Sequence, residues 1–326
     1  MLQVEHLTKR YGAVTAVDDL SFEISSGGVY GFLGPNGAGK STTMNIMTGC
    51  LSATSGTVKI SGYDIFDSPS EAKKRVGYLP EQPPLYLGET PTEYLRFVGE
   101  AKGVRGAELR RQMEAVIEET GIGDMRNRRI SALSKGYRQR VGIAQALLGE
   151  PDTVILDEPT VGLDPLQILE IRALISSLGE NRTVLISSHI LSEVQTMCSK
   201  ILIIAHGKLI AFDTPDALEK RLAAPGEISV TAETDADTAE RLISDIPNVA
   251  GIAVVSDSPE RSCLTVTAGP GDIYELSRSI FQAFAGNGKV LSELGVKKAS
   301  LEDIFLELTE AEPKADTAAK EEVSDK

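Results

Sequence analysis

The segment Gly34-Pro35-Asn36-Gly37-Ala38-Gly39-Lys40-Ser41-Thr42 constrains this chain more than any other. Gly34, Gly39, Lys40 and Ser41 fill every fixed position of a P-loop. The apolar stretch Val29–Leu33 precedes the loop and a helix-like run ending near Gly49 follows it. That is the strand–loop–helix setting the motif requires. Glycines let backbone N–H groups turn inward on phosphate oxygens, and a helix N-terminus adds partial positive charge. Lys40 can reach the β- and γ-phosphates, while the Ser41 hydroxyl can ligate Mg²⁺. A glycine-rich turn with a chance lysine is the bland alternative. The complete spacing argues against it and predicts a nucleoside triphosphate site.

Four further segments narrow the kind of site. Thr153-Val154-Ile155-Leu156 reads as a buried strand with Asp157 and Glu158 at its C-terminal end, where ligands sit in open α/β sheets. Asp157 is then placed to hold the Mg²⁺ shell, and Glu158 to accept a proton from an attacking water. Alone, the segment leaves an ordinary Asp-Glu turn after a strand as the lesser alternative. Thr183-Val184-Leu185-Ile186-Ser187-Ser188-His189 is another apolar strand, ending in a histidine. His6 lies in a polar strand and His206 in an apparent hairpin turn, so His189 alone sits at an end that faces a nucleotide. Ser134 is a plausible N-cap for the run Val141–Leu148, and the Ser134–Gly136 backbone offers N–H donors to an anion. On the residues alone this is a capped helix, phosphate-binding or not. Gly77-Tyr78-Leu79-Pro80-Glu81-Gln82 ends a short strand with a glutamine, a weak signal by itself.

Together these segments resemble the ATP-binding subunits of ATP-binding-cassette (ABC) transporters. The P-loop, the Gln82 loop, the Leu133–Gln139 signature, Asp157-Glu158, the Gly162-Leu163-Asp164 turn and His189 occur in that family's order over roughly residues 1–220. The resemblance implies that ATP with Mg²⁺ is the ligand, held along residues 34–42. It implies adenine against Tyr11 and Val17, and Mg²⁺ near Ser41, Gln82 and Asp157. Catalysis would fall to Glu158, His189, Gln82 and Lys40. The family signature reads Leu-Ser-Gly-Gly-Gln, whereas this chain carries Lys135 and Tyr137 at its third and fifth positions and keeps Ser134 and Gly136. Lys135 adds charge near the γ-phosphate or points to solvent. The Lys-Gly-Tyr-Arg-Gln-Arg version is similar to one branch of type-2 exporter subunits, which includes gliding-motility-type and related bacterial ATPases. In the family the signature serves the partner subunit's nucleotide. With one P-loop per chain, the resemblance implies a second ATP-binding subunit, most simply an identical one.

At 326 residues with 41% apolar content the chain can bury a large core and is expected to form two domains. The expected fold is α/β. An ABC ATPase domain over residues 1–222 has a mostly parallel core sheet, an antiparallel edge sheet and a helical subdomain near 83–150. A ferredoxin-like α+β domain over 227–309 follows, and the polar stretch 310–326 reads as a disordered tail. Beyond Ala223-Ala224-Pro225-Gly226 the pattern predicts strand 227–232, helix 235–246, strands 250–256 and 262–268, helix 271–285 and strand 288–294. Ser300–Leu308 then reads as a short amphipathic helix.

Three cysteines lack metal or redox spacing, which suits a reducing cytosol. A net charge of −14 disfavours nucleic acid as a partner. The N-terminus reads as a strand rather than a signal peptide. No apolar run approaches the roughly 18 residues a membrane span needs, so a pore would belong to a separate integral-membrane permease. The expected location is cytoplasmic, peripheral on the inner face of the membrane. The leading reading is the ATP-hydrolysing subunit of an exporter. A soluble ABC ATPase acting on a macromolecular partner is the alternative. In the family the permease docks near the loop after Gln82. Here that loop is Pro83-Pro84-Leu85-Tyr86-Leu87-Gly88, apolar enough either to dock or to pack on the helix at Tyr94–Val98.

Overall fold

The computed structural model describes residues 1–222, 226–269 and 272–297. The chain divides after Pro215 into two compact units. The first opens with β1 (Leu2–Tyr11) and β2 (Val14–Ile24), an antiparallel pair whose apolar residues fall on one face. Leu2, Val4, Leu20, Phe22 and Ile24 are buried while Glu5, Glu23 and Asp19 stay outside, the alternation of a sheet with one solvated face.

β3 (Gly28–Leu33) is apolar throughout because both of its neighbours and both of its faces are covered. α1 (Lys40–Met47) follows the P-loop, and β4 (Ser55–Ile60) with β5 (Tyr63–Asp64) returns to the antiparallel sheet, whose order is β2-β1-β4-β5. α2 (Pro69–Lys74) leads to β6 (Val76–Leu79). Three helices then intervene: α3 (Pro91–Ala101), α4 (Gly106–Glu119) and α5 (Lys135–Leu147). α3 starts on a capping box in which Thr90 and Glu93 satisfy each other's backbone N–H groups, with Pro91 in the first turn.

β7 (Thr153–Leu156), α6 (Pro165–Asn181), β8 (Thr183–Ser188), α7 (Leu191–Met197), β9 (Lys200–Ala205) and β10 (Lys208–Asp213) complete the unit. The core sheet runs β10-β9-β3-β8-β7-β6 and is parallel except for β10. One apolar cluster joins the two sheets through Phe22, Phe32, Ile155 and Leu185. The rings of Phe22 and Phe32 lie 6.1 Å apart. This is the arrangement the sequence leads one to expect: a mostly parallel core sheet, an antiparallel sheet and a helical insertion. The ends of β3, β6, β7 and β8 point the same way, so the segments that follow them share one edge.

α8 (Pro215–Leu222) is followed by β11 (Glu227–Ala232), α9 (Ala236–Ser244), β12 (Val249–Asp257), β13 (Ser262–Ala268), α10 (Ile273–Gly286) and β14 (Leu291–Lys297). The four strands form an antiparallel sheet in the order β12-β13-β11-β14, the ferredoxin-like α+β arrangement. Ile228, Val230, Leu264 and Val266 pack under Ile243, Ile280 and Phe284 of the two helices. The last strand begins three residues later than the pattern 288–294 predicts. Asn287, Gly288 and Lys289 are spent closing α10, donating to Phe284 and Ala285 carbonyls, with Gly288 at φ +64°. The expected helix at 300–308 and tail at 310–326 lie outside the described residues. Among the described residues no helix is long and apolar enough to cross a membrane.

Candidate nucleotide site

The P-loop joins β3 to α1 as a tightly braced turn. Gly39 has φ +102°, and a Cβ there would run into the Ala16 carbonyl oxygen of β2. Both backbone and space therefore require glycine. The β9–β10 turn supports the loop from the other side. His206 and Gly207 both have positive φ, +51° and +77°, the two-residue hairpin that matches strand twist. Gly207 N–H donates to the Ala38 carbonyl at 3.0 Å, and Asp18 N–H donates to the Gly207 carbonyl at 2.9 Å. Gly39→Ala is expected to cost about 1–3 kcal/mol of stability and to abolish nucleotide binding. A melting curve and a fluorescent-nucleotide titration check both.

Lys40 is buried at the bottom of the loop. Its Nζ donates to the Gly34 carbonyl at 2.7 Å and the Pro35 carbonyl at 3.2 Å. Burial pulls its pKa below the usual lysine value, and Glu158, Asp157 and Glu81 pull it back up. Glu158 Oε1 lies 3.9 Å from Lys40 Nζ, while Glu158 Oε2 lies 3.0 Å from His189 Nδ1. One carboxylate thus spans the P-loop cation and the histidine. Glu158 has φ +49°, a conformation that costs a non-glycine residue free energy and clusters at functional sites. Its backbone N–H is held by Ser187 Oγ at 2.8 Å, and that hydroxyl donates to Asp157 Oδ1 at 2.5 Å. Asp157 is buried and thereby fixed in orientation.

These groups surround a cleft of about 290 Å³ lined by Ala16, residues of the P-loop, Glu81, Glu158, Val161 and His189. That is at the small end of ligand pockets, room for a polyphosphate with its nucleoside end on the open surface. Pro35, Asn36, Gly37, Gly39, Lys40, Ser41 and Thr42 all line it. Gly34 and Ala38 lie beneath, contributing carbonyl oxygens to Lys40 and Gly207. Asp157 sits below Glu158. Gln82 is exposed and outside the lining, where its neighbour Glu81 takes the place. Tyr11 is exposed with the Lys9 ammonium 5.1 Å from its ring centre, and Val17 is fully buried behind Gly39; neither lines the cleft.

The signature lies apart from this chain's own cleft. Ser134 caps α5, its Oγ accepting Tyr137 N–H at 3.3 Å, and Gly136 packs against Gln167 of α6. Lys135 is exposed at the start of α5, with its ammonium beside Gly162 in the turn before α6. Arg140 Nη2 to Glu170 Oε2 at 2.8 Å adds a second α5–α6 tie.

The family profile described as "ABC transporter" matches residues 17–161. Linearmycin resistance ATP-binding protein LnrL of Bacillus subtilis (strain 168) is 33% identical over 310 residues, covering 95% of this chain and 98% of that protein. Bacitracin transport ATP-binding protein BcrA of Bacillus licheniformis is 40% identical over 223 residues, 68% of this chain and 72% of its own length. Nod factor export ATP-binding protein I of Ralstonia nicotianae is 33% identical over 314 residues, 95% and 94% of the two chains. Among solved structures, an ATP-binding subunit of an ABC transporter superposes with TM-score 0.61 at 32% identity, covering 68% of this chain and 92% of that one. A dimeric ATP-binding cassette in a post-hydrolysis state with ADP and Pi gives 0.59 at 26% identity, covering 66% and 98%. With the P-loop, Glu158 and His189 gathered at one cleft, the chain belongs to the ABC transporter family as an ATP-binding, ATP-hydrolysing subunit.

Proposed function

We propose that this chain powers an exporter, working as a homodimer on a separately encoded integral-membrane permease at the inner face of the membrane. The observation that carries the two-chain arrangement is the placement of Ser134 and Gly136. They begin α5 outside the cleft that their own P-loop lines, which supports a second copy bringing them to the nucleotide. Relatives named for linearmycin resistance, bacitracin transport and Nod factor export support the outward direction.

In this reading Lys40 and the P-loop N–H groups hold the phosphates. Glu158 accepts the proton of the attacking water, and His189, hydrogen-bonded to it, keeps the carboxylate aimed at the cleft. A magnesium ion suits the donors present. Ser41 and Asp157 offer only oxygen, and Asp157 is held in place by Ser187. The described residues contain no group of three His, Cys, Asp or Glu able to hold a metal by themselves, so phosphate oxygens and water would have to complete the shell. Such an ion would neutralise charge on the phosphates. Gln82 is assigned to the same shell from its motif, and Tyr11 to the adenine.

The permease contact is assigned to the loop after Gln82. Tyr86 packs its ring 5.7 Å from Tyr94 and 5.2 Å from Phe97. Even so, Tyr86, Leu87 and Phe97 each remain 50% exposed. Packing on α3 therefore uses only part of this apolar surface, and the remainder suits a protein partner. Leu87→Glu with Phe97→Ser is expected to leave basal ATPase within about twofold, since neither residue supports the cleft. The variant should lose its permease on co-purification from membranes and fail to support transport. Undiminished co-purification would remove this loop from the contact. A folded, active chain that brings down no membrane protein in its native form would sink the transporter assignment for this copy.

A further inference from the structure

Glu193 is a buried carboxylate that no sequence motif marks. It lies on α7, four residues after His189, and only 4% of it is exposed. Its Oε2 accepts Thr160 Oγ1 at 2.7 Å and Ser188 Oγ at 3.4 Å. Its Oε1 lies 3.5 Å from Arg172 Nη2 of α6. Thr160 is two residues past Glu158, and Ser188 is one residue before His189. A single carboxylate therefore joins the chain neighbours of both groups in the 3.0 Å Glu158–His189 pair. Through Arg172 it also reaches the helix that begins at the Gly162 turn.

A buried ion is a poor way to gain stability, because desolvation offsets the attraction of its partners. Leu191 and Val194 already supply α7 with buried apolar contact. What an acceptor gains here is direction, since two hydroxyls from different strand ends must point at the same group. The Glu158 loop needs such a tie. Its φ is +49°, and a loop held in a disfavoured conformation relaxes unless its surroundings fix it. Ser187 holds the loop at the Glu158 N–H. The Glu193–Thr160 bond holds it two residues further on.

We infer that Glu193 is a positioning residue for ATP hydrolysis, fixing the Glu158 loop against the His189 strand end so that base and histidine stay in register. The inference rests on the roles assigned above to Glu158 and His189. Glu158→Gln in the same assay tests those roles alone: if it keeps wild-type turnover, they fail whatever Glu193 does.

The test compares Glu193→Ala, Glu193→Gln and Thr160→Val in the full-length chain. It measures steady-state ATPase, affinity for a fluorescent ATP analogue and melting temperature. A sub-ångström to one-ångström drift of a catalytic group costs up to roughly 10²-fold in rate. Glu193→Ala is accordingly expected to lower kcat by about 10–100-fold while nucleotide affinity stays within about threefold, the split that marks loss of a transition-state arrangement. Glu193→Gln keeps an acceptor for the two hydroxyls and should recover most of the rate. Thr160→Val should reproduce the loss, and adding it to Glu193→Ala should cost little more, because both remove one link. If Glu193→Ala does not fold, Thr160→Val carries the measurement. Wild-type kcat in Thr160→Val, equal losses of rate and affinity, no rescue by glutamine, or fully additive losses would each overturn the inference.

Discussion

Glu158→Gln is expected to bind ATP and to hydrolyse it roughly 10²–10⁴-fold more slowly than the parent chain, the usual range for loss of a general base. Glutamine matches glutamate in size and meets the same backbone at φ +49°, so the Ser187 bond to the residue 158 N–H survives. What disappears is the charge that spans Lys40 and His189. ATP that cannot be cleaved should hold two chains together. Size exclusion with ATP and Mg²⁺ is then expected to show a dimer for the variant and a shorter-lived one for the parent. An active variant that elutes as a monomer would contradict both the base and the sandwich.

Motifs made the cleft legible because the sheet turns spacing into position. β3, β7 and β8 are parallel neighbours, so the residues after their C-terminal ends meet at one edge, and Lys40, Glu158 and His189 meet there. Side-chain ties between those loops were not legible. Thr160, Arg172, Ser188 and Glu193 are ordinary residue types at ordinary strand-end and helix positions, and only the packing of α6 and α7 brings them to one point. The same holds for Gly207, which reaches Ala38 across a long stretch of chain and reads in sequence as any hairpin turn. The neighbourhood of Lys135 beside the Gly162 turn is likewise set by how α5 meets α6. From Glu227 to Lys297 the pattern predicted the six elements in order. It misplaced only the last strand, where a helix end competed for residues 287–289 and took them.

The sandwich arrangement makes a quantitative prediction about mixtures. Lys40→Ala removes a buried cation whose charge-assisted contacts would hold phosphate, so its nucleotide affinity and turnover should both collapse. Ser134→Arg blocks the start of α5. Losing the bond that Tyr137 N–H donates to Ser134 Oγ costs about 1 kcal/mol, too little to unfold the chain. Each variant alone should be inactive, because every site in its homodimers carries a lesion. In a mixed dimer the lesions fall differently: one site receives both and the other receives neither. At equal concentrations half of the dimers are mixed and each has one intact site of two, so activity should return to about a quarter of the parent's. Double-labelled chains with resonance energy transfer would verify that mixed dimers form. Recovery near that fraction places Ser134 in trans to Lys40. Proven mixed dimers without recovery would mean a site complete within one chain, or two sites that can fire only together.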